Sequence, residues 1–226
     1  MSGAKPMRWE HVEAVRALHG QAFALLGAPC TPHDFLDAQA LSLHAAHAGG
    51  DERCTLQISS WSPALVGSAS SATHRAHILA SSFSLADARL CLAREHGFDD
   101  WKAVERDGRT PFDPDFEAAV DALVQGEQER LCERLEDRPE LVRARSPHGH
   151  GATLLHYAGS NGLETWRQQT PPNLPTLVRL LLAAGAEREA RMKAYGGELT
   201  TYQLAETSAH PHTAGVMREL LDALRA

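Results

Sequence analysis

Cysteine is scarce in this chain. Its 226 residues include only Cys30, Cys54, Cys91 and Cys132, too far apart for any C-x-x-C pair, which excludes a zinc ribbon or a redox dithiol and suits a reducing cytoplasm. Clustered Lys and Arg are also lacking. With a net charge of -7 and a pI near 6.0, neither nucleic acid nor an anionic membrane is an expected partner. No stretch approaches the roughly 18 apolar residues of a membrane span, and no basic start leads into an apolar run, so a cytoplasmic protein is expected. Catalytic signatures are missing as well. There is no phosphate loop, dinucleotide fingerprint or H-E-x-x-H, and Gly67-Ser68-Ala69-Ser70 is not G-x-S-x-G. No catalytic residue, metal ligand or cofactor is therefore assigned.

What is present is helical periodicity. Hydrophobic residues at 43% and charged residues at 23% describe an ordinary globular chain, long enough to bury a substantial core. Pro6 to Leu26 reads as a first helix, on the stripe Trp9, Val12, Val15, Leu18 and Phe23. Thr31-Pro32-His33-Asp34 starts a second helix over 33–48, and Ser84-Leu85-Ala86-Asp87 is a capping box for a third. Between them, the Ser- and Ala-rich stretch 67–82 reads equally as a short weak helix or a loop. Leu90, Phe98 and Trp101 are expected in the core. An internal echo lays Ala40–Val66 on Phe116–Val142, so that Gly50 meets Gly126 and Pro63 meets Pro139 at an offset of 76, suggesting a degenerate helix-turn-helix repeat. A boundary is expected near 110, separating an N-terminal helical region (1–110) from a repeat region (111–226).

The most informative stretch is Gly151-Ala152-Thr153-Leu154-Leu155-His156-Tyr157-Ala158, resuming at Thr176-Leu177-Val178-Arg179-Leu180-Leu181-Leu182-Ala183-Ala184-Gly185-Ala186. Leu154, Leu155 and Ala158 share one helical face, as do Val178, Leu181 and Leu182, and Gly162 and Gly185 are expected to end the two helices. This resembles an ankyrin repeat, G-A-T-L-L-H-Y-A standing for G-x-T-P-L-H-x-A. Leu154 replaces the usual Pro, and 164–175 is an insertion. Thr200 aligns with Thr153 and Ala205 with Ala158 in a last repeat, and L-A-D-A-R-L-C-L-A-R-E-H-G-F-D-D-W is similar to the segment that often precedes the repeats of bacterial ankyrin-repeat proteins. The resemblance implies an all-α, ankyrin-type solenoid of helix pairs, about three repeats over 111–226, that binds a protein partner without catalysis.

The resemblance also nominates a site. Partners of such proteins contact the concave side made by repeat turns and first helices, which here points to His148, His150, Arg191, Lys193 and Tyr195. In the insertion, Trp166 and Arg167 join an aromatic and a guanidinium in a loop longer than the turn requires, and form a second candidate contact; the stretch reads equally as structural, with Trp166 capping an exposed edge of the core. A competing reading takes His148, His150 and His156 as metal ligands of an enzyme or sensor, because H-x-H with a third histidine nearby suits zinc or iron. Against it, His156 holds the T-x-L-H position, where the resemblance implies a ring bonded to backbone, and His148 and His150 are expected in an exposed turn. Glu127, Glu129, Glu133 and Glu136 read as a solvated helix face.

Overall fold

A computed structural model describes residues 10–27, 29–68 and 70–226. The expected helix start at Pro6, with Trp9, lies outside the described residues, as do Ala28 and Ala69. Among the described residues the chain is mostly helical, with one two-stranded sheet. It divides into two compact units, Glu13–Phe112 and Asp113–Ala226, the latter together with the described residues up to Val12.

The expected single N-terminal helix is broken. α1 (Glu10–Leu18) gives way at His19 to the short α2 (Gly20–Phe23) and a 3-10 turn over Ala24–Gly27. α3 (Pro32–Ala48) starts where Thr31 Oγ1 accepts the Asp34 N–H at 3.2 Å, which satisfies one of the amides a helix start leaves open. Next come α4 (Thr55–Trp61) and α5 (Ala72–Ala80); the latter settles the ambiguous stretch in favour of a helix, started by Ser71. α6 (Leu85–Glu95) carries the expected capping box, Ser84 N–H donating to Asp87 Oδ2 at 2.8 Å and Asp87 N–H to Ser84 Oγ at 3.2 Å. α7 (Trp101–Asp107) closes the unit. Phe35, Leu36, Ala40 and Leu43 of α3 are buried, and α3 packs most extensively against α6, where Ala88, Cys91 and Leu92 are buried. Phe98 is buried, but Leu90 and Trp101 are only half-buried. The Trp101 ring lies instead beneath the Arg89 guanidinium, 5.1 Å from its centroid.

The second unit begins with α8 (Pro114–Gln125), started by Asp113 Oδ1, which accepts the Asp115 N–H at 3.0 Å. α9 (Gln128–Asp137) runs back along it. The reversal is at Gly126, whose φ of 79° suits a residue without Cβ; Gly50 has φ 72° at the matching place in the first unit. The two stretches share a positive-φ glycine between two helices and differ in how those helices pack. Leu65 and Leu141 are both buried, whereas Val66 is exposed and its counterpart Val142 is not; α4 packs on α6, and α9 on α8.

α10 (Leu154–Tyr157) is a single turn, shorter than the periodicity predicts. Gly162, with φ 69°, therefore lies in a later turn and does not end the helix. α11 (Leu174–Ala183) does stop at a glycine, Gly185. An antiparallel hairpin follows, β1 (Met192–Ala194) with β2 (Gly197–Leu199), pairing Lys193 with Glu198. Its two linking residues both have positive φ, Tyr195 at 54° and Gly196 at 77°, the mirror-image turn that matches strand twist. α12 (Thr201–Thr207), α13 (Ala209–Thr213) and α14 (Met217–Arg225) complete the chain. α8 packs on α10, α10 on α12, and α11 on α14, around a core that includes Phe116, Leu123, Leu155, Leu181, Leu204 and Leu220.

Candidate functional site

The residues nominated from sequence separate into two groups. Arg191, Lys193 and Tyr195 are exposed, as expected. Met192 turns inward from β1, which directs its neighbours Arg191 and Lys193 outward, and Tyr195 keeps 64% of its surface at the hairpin tip. The Tyr195 hydroxyl donates to Asn161 Oδ1 and accepts the Gly162 N–H at 3.1 Å. The hairpin is fastened to the turn before α10, since the Lys193 N–H donates to His150 O at 3.0 Å. Arg145 Nη1 donates to both Gly151 O at 2.7 Å and Arg191 O at 2.9 Å.

His148, His150, Trp166 and Arg167 are buried, which corrects the exposed turn expected for the two histidines and, of the two readings of the insertion, favours Trp166 on the core over a contact loop. The insertion folds inward. Its 3-10 turn, Thr165–Arg167, sends Arg167 beneath α8, and Ser160 Oγ donates to Gln169 O at 2.9 Å while Asn173 Nδ2 reaches Gly126 O at 2.9 Å. Arg167 stacks on the Trp166 ring, 4.2 Å from its centroid, and meets Glu117 at 2.6 Å and Asp121 at 3.0 Å. Its other neighbour is Glu164, at 3.8 Å. An aromatic and a guanidinium in a long loop look like a contact surface in sequence. Here they are instead the inner wall of the unit.

Glu164 is the centre of this cluster. Its Oε1 accepts the Tyr157 hydroxyl at 3.0 Å and has His148 Nε2 at 3.4 Å and His150 Nε2 at 3.5 Å. Burial alone would push this carboxyl up, but His150, His148 and Arg167 together hold it well below the usual carboxylate range. Burial dominates at Glu117, where it raises the carboxyl pKa despite Arg167, and at Tyr157, where burial and then Glu164 raise the phenol. Burial works against the charge of Arg167 too, and the surrounding carboxylates overcome it.

Two hydrogen bonds fix histidine tautomers. His150 Nδ1 accepts the Ala152 N–H at 3.1 Å, so its proton is on Nε2, directed at Glu164. His156 Nδ1 accepts the Thr153 N–H at 3.0 Å and the Thr153 hydroxyl at 2.8 Å, so its Nε2–H donates to Ala190 O at 3.0 Å. His156 thus has the backbone-bonded role that the resemblance implies. Both rings are donors at Nε2, without the lone pair a metal needs there. Among the described residues, no group of three or more His, Cys, Asp or Glu is arranged to hold a metal ion.

The sequence reading missed Glu164, Glu117, Asp121 and Tyr157. A signal was present in α8: Glu117 and Asp121 lie one turn apart beside Phe116 and Val120, acids bordering an apolar stripe that need a cation from elsewhere in the chain. Comparisons with protein-family models, with curated proteins and with solved structures return no match.

Proposed function

We propose that this chain is a non-catalytic scaffold of the ankyrin-repeat type, whose 113–226 unit binds a protein partner through the edge formed by the hairpin and the turn before α10. The observation that carries the reading is that two helices opened by the same threonine device, α10 and α12, pack on each other. Thr153 and Thr200 each precede a helix, and each N–H is accepted by the side chain three residues on, His156 Nδ1 at 3.0 Å and Gln203 Oε1 at 3.0 Å. The stacking of α8, α10 and α12, and of α11 with α14, supports a solenoid of helix pairs. In such an array the turns and hairpins line one edge and remain open to a partner, as Arg191, Lys193 and Tyr195 do.

The test is a photo-crosslinking residue installed at Lys193 in the native cell, with the same residue at exposed Glu133 on α9 as control. One dominant protein adduct from position 193 and none from 133 is the expected result. Replacing Arg191 with Ala in the protein that carries the crosslinker at 193 should weaken capture while stability moves by less than about 0.5 kcal/mol, as is usual for exposed positions. No adduct at 193, or capture of the partner unchanged by the Arg191 replacement, overturns the reading. The metal reading has its own arm: stoichiometric metal in untagged protein, lost on replacing His148, would restore it.

A further inference from the structure

We infer that the partner surface recognised by this edge is a carboxylate-rich protein segment, an inference resting on the scaffold reading above. It starts from how the arginines of this unit spend their hydrogen bonds. Arg130, Arg134, Arg138, Arg167 and Arg225 all pair with carboxylates. Arg143, Arg145 and Arg191 are exposed, and each donates to backbone carbonyls: Arg143 Nε to Gly185 O at 3.1 Å, Arg145 Nη1 to Gly151 O and Arg191 O, and Arg191 Nη1 to Glu198 O at 3.1 Å. Among the described residues none of these three forms an ion pair with a side chain.

A carbonyl orients a guanidinium without cancelling its charge. Each arginine keeps further N–H groups beyond those bonded, in the planar fork that fits a carboxylate. Holding the side chains in place beforehand also lowers the ordering cost of binding. The three are joined in space, because the Arg145 guanidinium sits on the backbone of Arg191, and Arg143 is two residues before Arg145. Lys193 faces Glu198 across the hairpin, and Glu187 and Glu189 are exposed nearby, so the edge is mixed in charge and its uncompensated members are the arginines. A short acidic segment fits this better than a nucleic acid. A chain of net charge -7 repels a long polyanion beyond the few residues the patch can neutralise.

Fluorescence anisotropy of a labelled oligo-glutamate peptide with the whole chain tests this, beside oligo-lysine and oligo-uridylate of equal length. Oligo-glutamate should bind and weaken as salt rises. The Arg143→Gln/Arg191→Gln protein should bind it about tenfold more weakly, the scale expected for losing two exposed charge contacts, with an unchanged melting curve. Arg145 is left in place because it ties two turns together. Failure of oligo-glutamate to bind, binding that ignores the double replacement, or tighter binding of oligo-uridylate each overturns the inference. If the position-193 adduct forms but oligo-glutamate does not compete with it, the acid preference fails and the scaffold stands. Binding through the arginines with no adduct keeps the acid preference and removes the scaffold.

Discussion

Replacing His156 with Gln removes one titrating group from the core while keeping a side chain that already does the same work at Gln203. Burial pushes the His156 imidazole down from 6.5 to about 4, and its Nδ1 is committed to Thr153. Folded and unfolded chains both hold it neutral above pH 6.5. Below that, the unfolded chain takes up a proton that the folded chain refuses, so stability is present above pH 6.5 and lost as the pH falls towards 4. At about 1.4 kcal/mol per pKa unit, the shift is worth about 3 kcal/mol in all, of which about 2 kcal/mol is lost between pH 7 and 4.5. The Gln protein should begin less stable at pH 7 by about 1–3 kcal/mol, because the bond to buried Ala190 O is lost. Its stability should then fall less steeply, and the two curves converge. Urea titrations at half-unit steps of pH read this directly, and the difference between the proteins removes the other buried histidines from the comparison. Parallel curves from pH 6.5 to 4.5 would show that His156 takes its proton in the folded state without disturbing Thr153, and would refute the reasoning.

Arg167→Met should destabilise the protein by about 3–5 kcal/mol in urea unfolding, since it leaves Glu117 and Glu164 buried without their cation. Adding Glu117→Gln in that background should recover part of the loss, and no recovery would place the damage in packing alone. Gly126→Ala should cost more than the about 1–2 kcal/mol of a left-handed residue, because its Cβ would meet Pro171 Cβ at 2.7 Å. Gly50→Ala, which meets nothing within 4 Å, should cost only the backbone term; equal costs in thermal unfolding would contradict this. A disulfide reagent at pH 8 should label Cys132 first, the only half-exposed thiol among the four. Burial raises Cys54 to about 11 and Cys91 to about 12, so both stay unreactive until the protein unfolds, and rapid native labelling of either would be the contrary result.

Local signals carried much of the fold. Thr31 and Ser84 started helices where a short polar side chain precedes an apolar stripe, and Gly126 and Gly185 reversed the chain after two others. The single turn at α10 was harder to read, because the apolar pattern of Leu154, Leu155 and Ala158 fits a longer helix, and its end is set by the inward path of the insertion. The hairpin was also missed. Its signal is only the pair Tyr195-Gly196, and the first of these takes a positive φ that few side chains adopt. The candidate site divided by burial, which spacing does not report. Arg191, Lys193 and Tyr195 lie on a strand and its turn with the core on one side only, whereas Arg167 is drawn inward by acids 46 and 50 residues earlier in the chain. The first unit shows the same limit, its buried relay from His19 through Gln57 to Glu95 joining residues 38 apart at each step.

The brevity of α10 has a kinetic meaning. A four-residue turn fixes its dihedrals for almost no helical hydrogen bonds of its own, so it cannot nucleate. What keeps Leu154 to Tyr157 in place arrives from elsewhere: Ala190 on the His156 ring, Glu164 on the Tyr157 hydroxyl, and α8 and α12 on either side. Those contacts close loops of up to dozens of residues, and their entropy is lost before any of them forms. The segment bearing the strongest repeat signature is thus the one with least independent existence. On this basis hydrogen exchange should show the amides of Leu154 to Tyr157 opening with the whole unit, and faster exchange there than in α8 would contradict it.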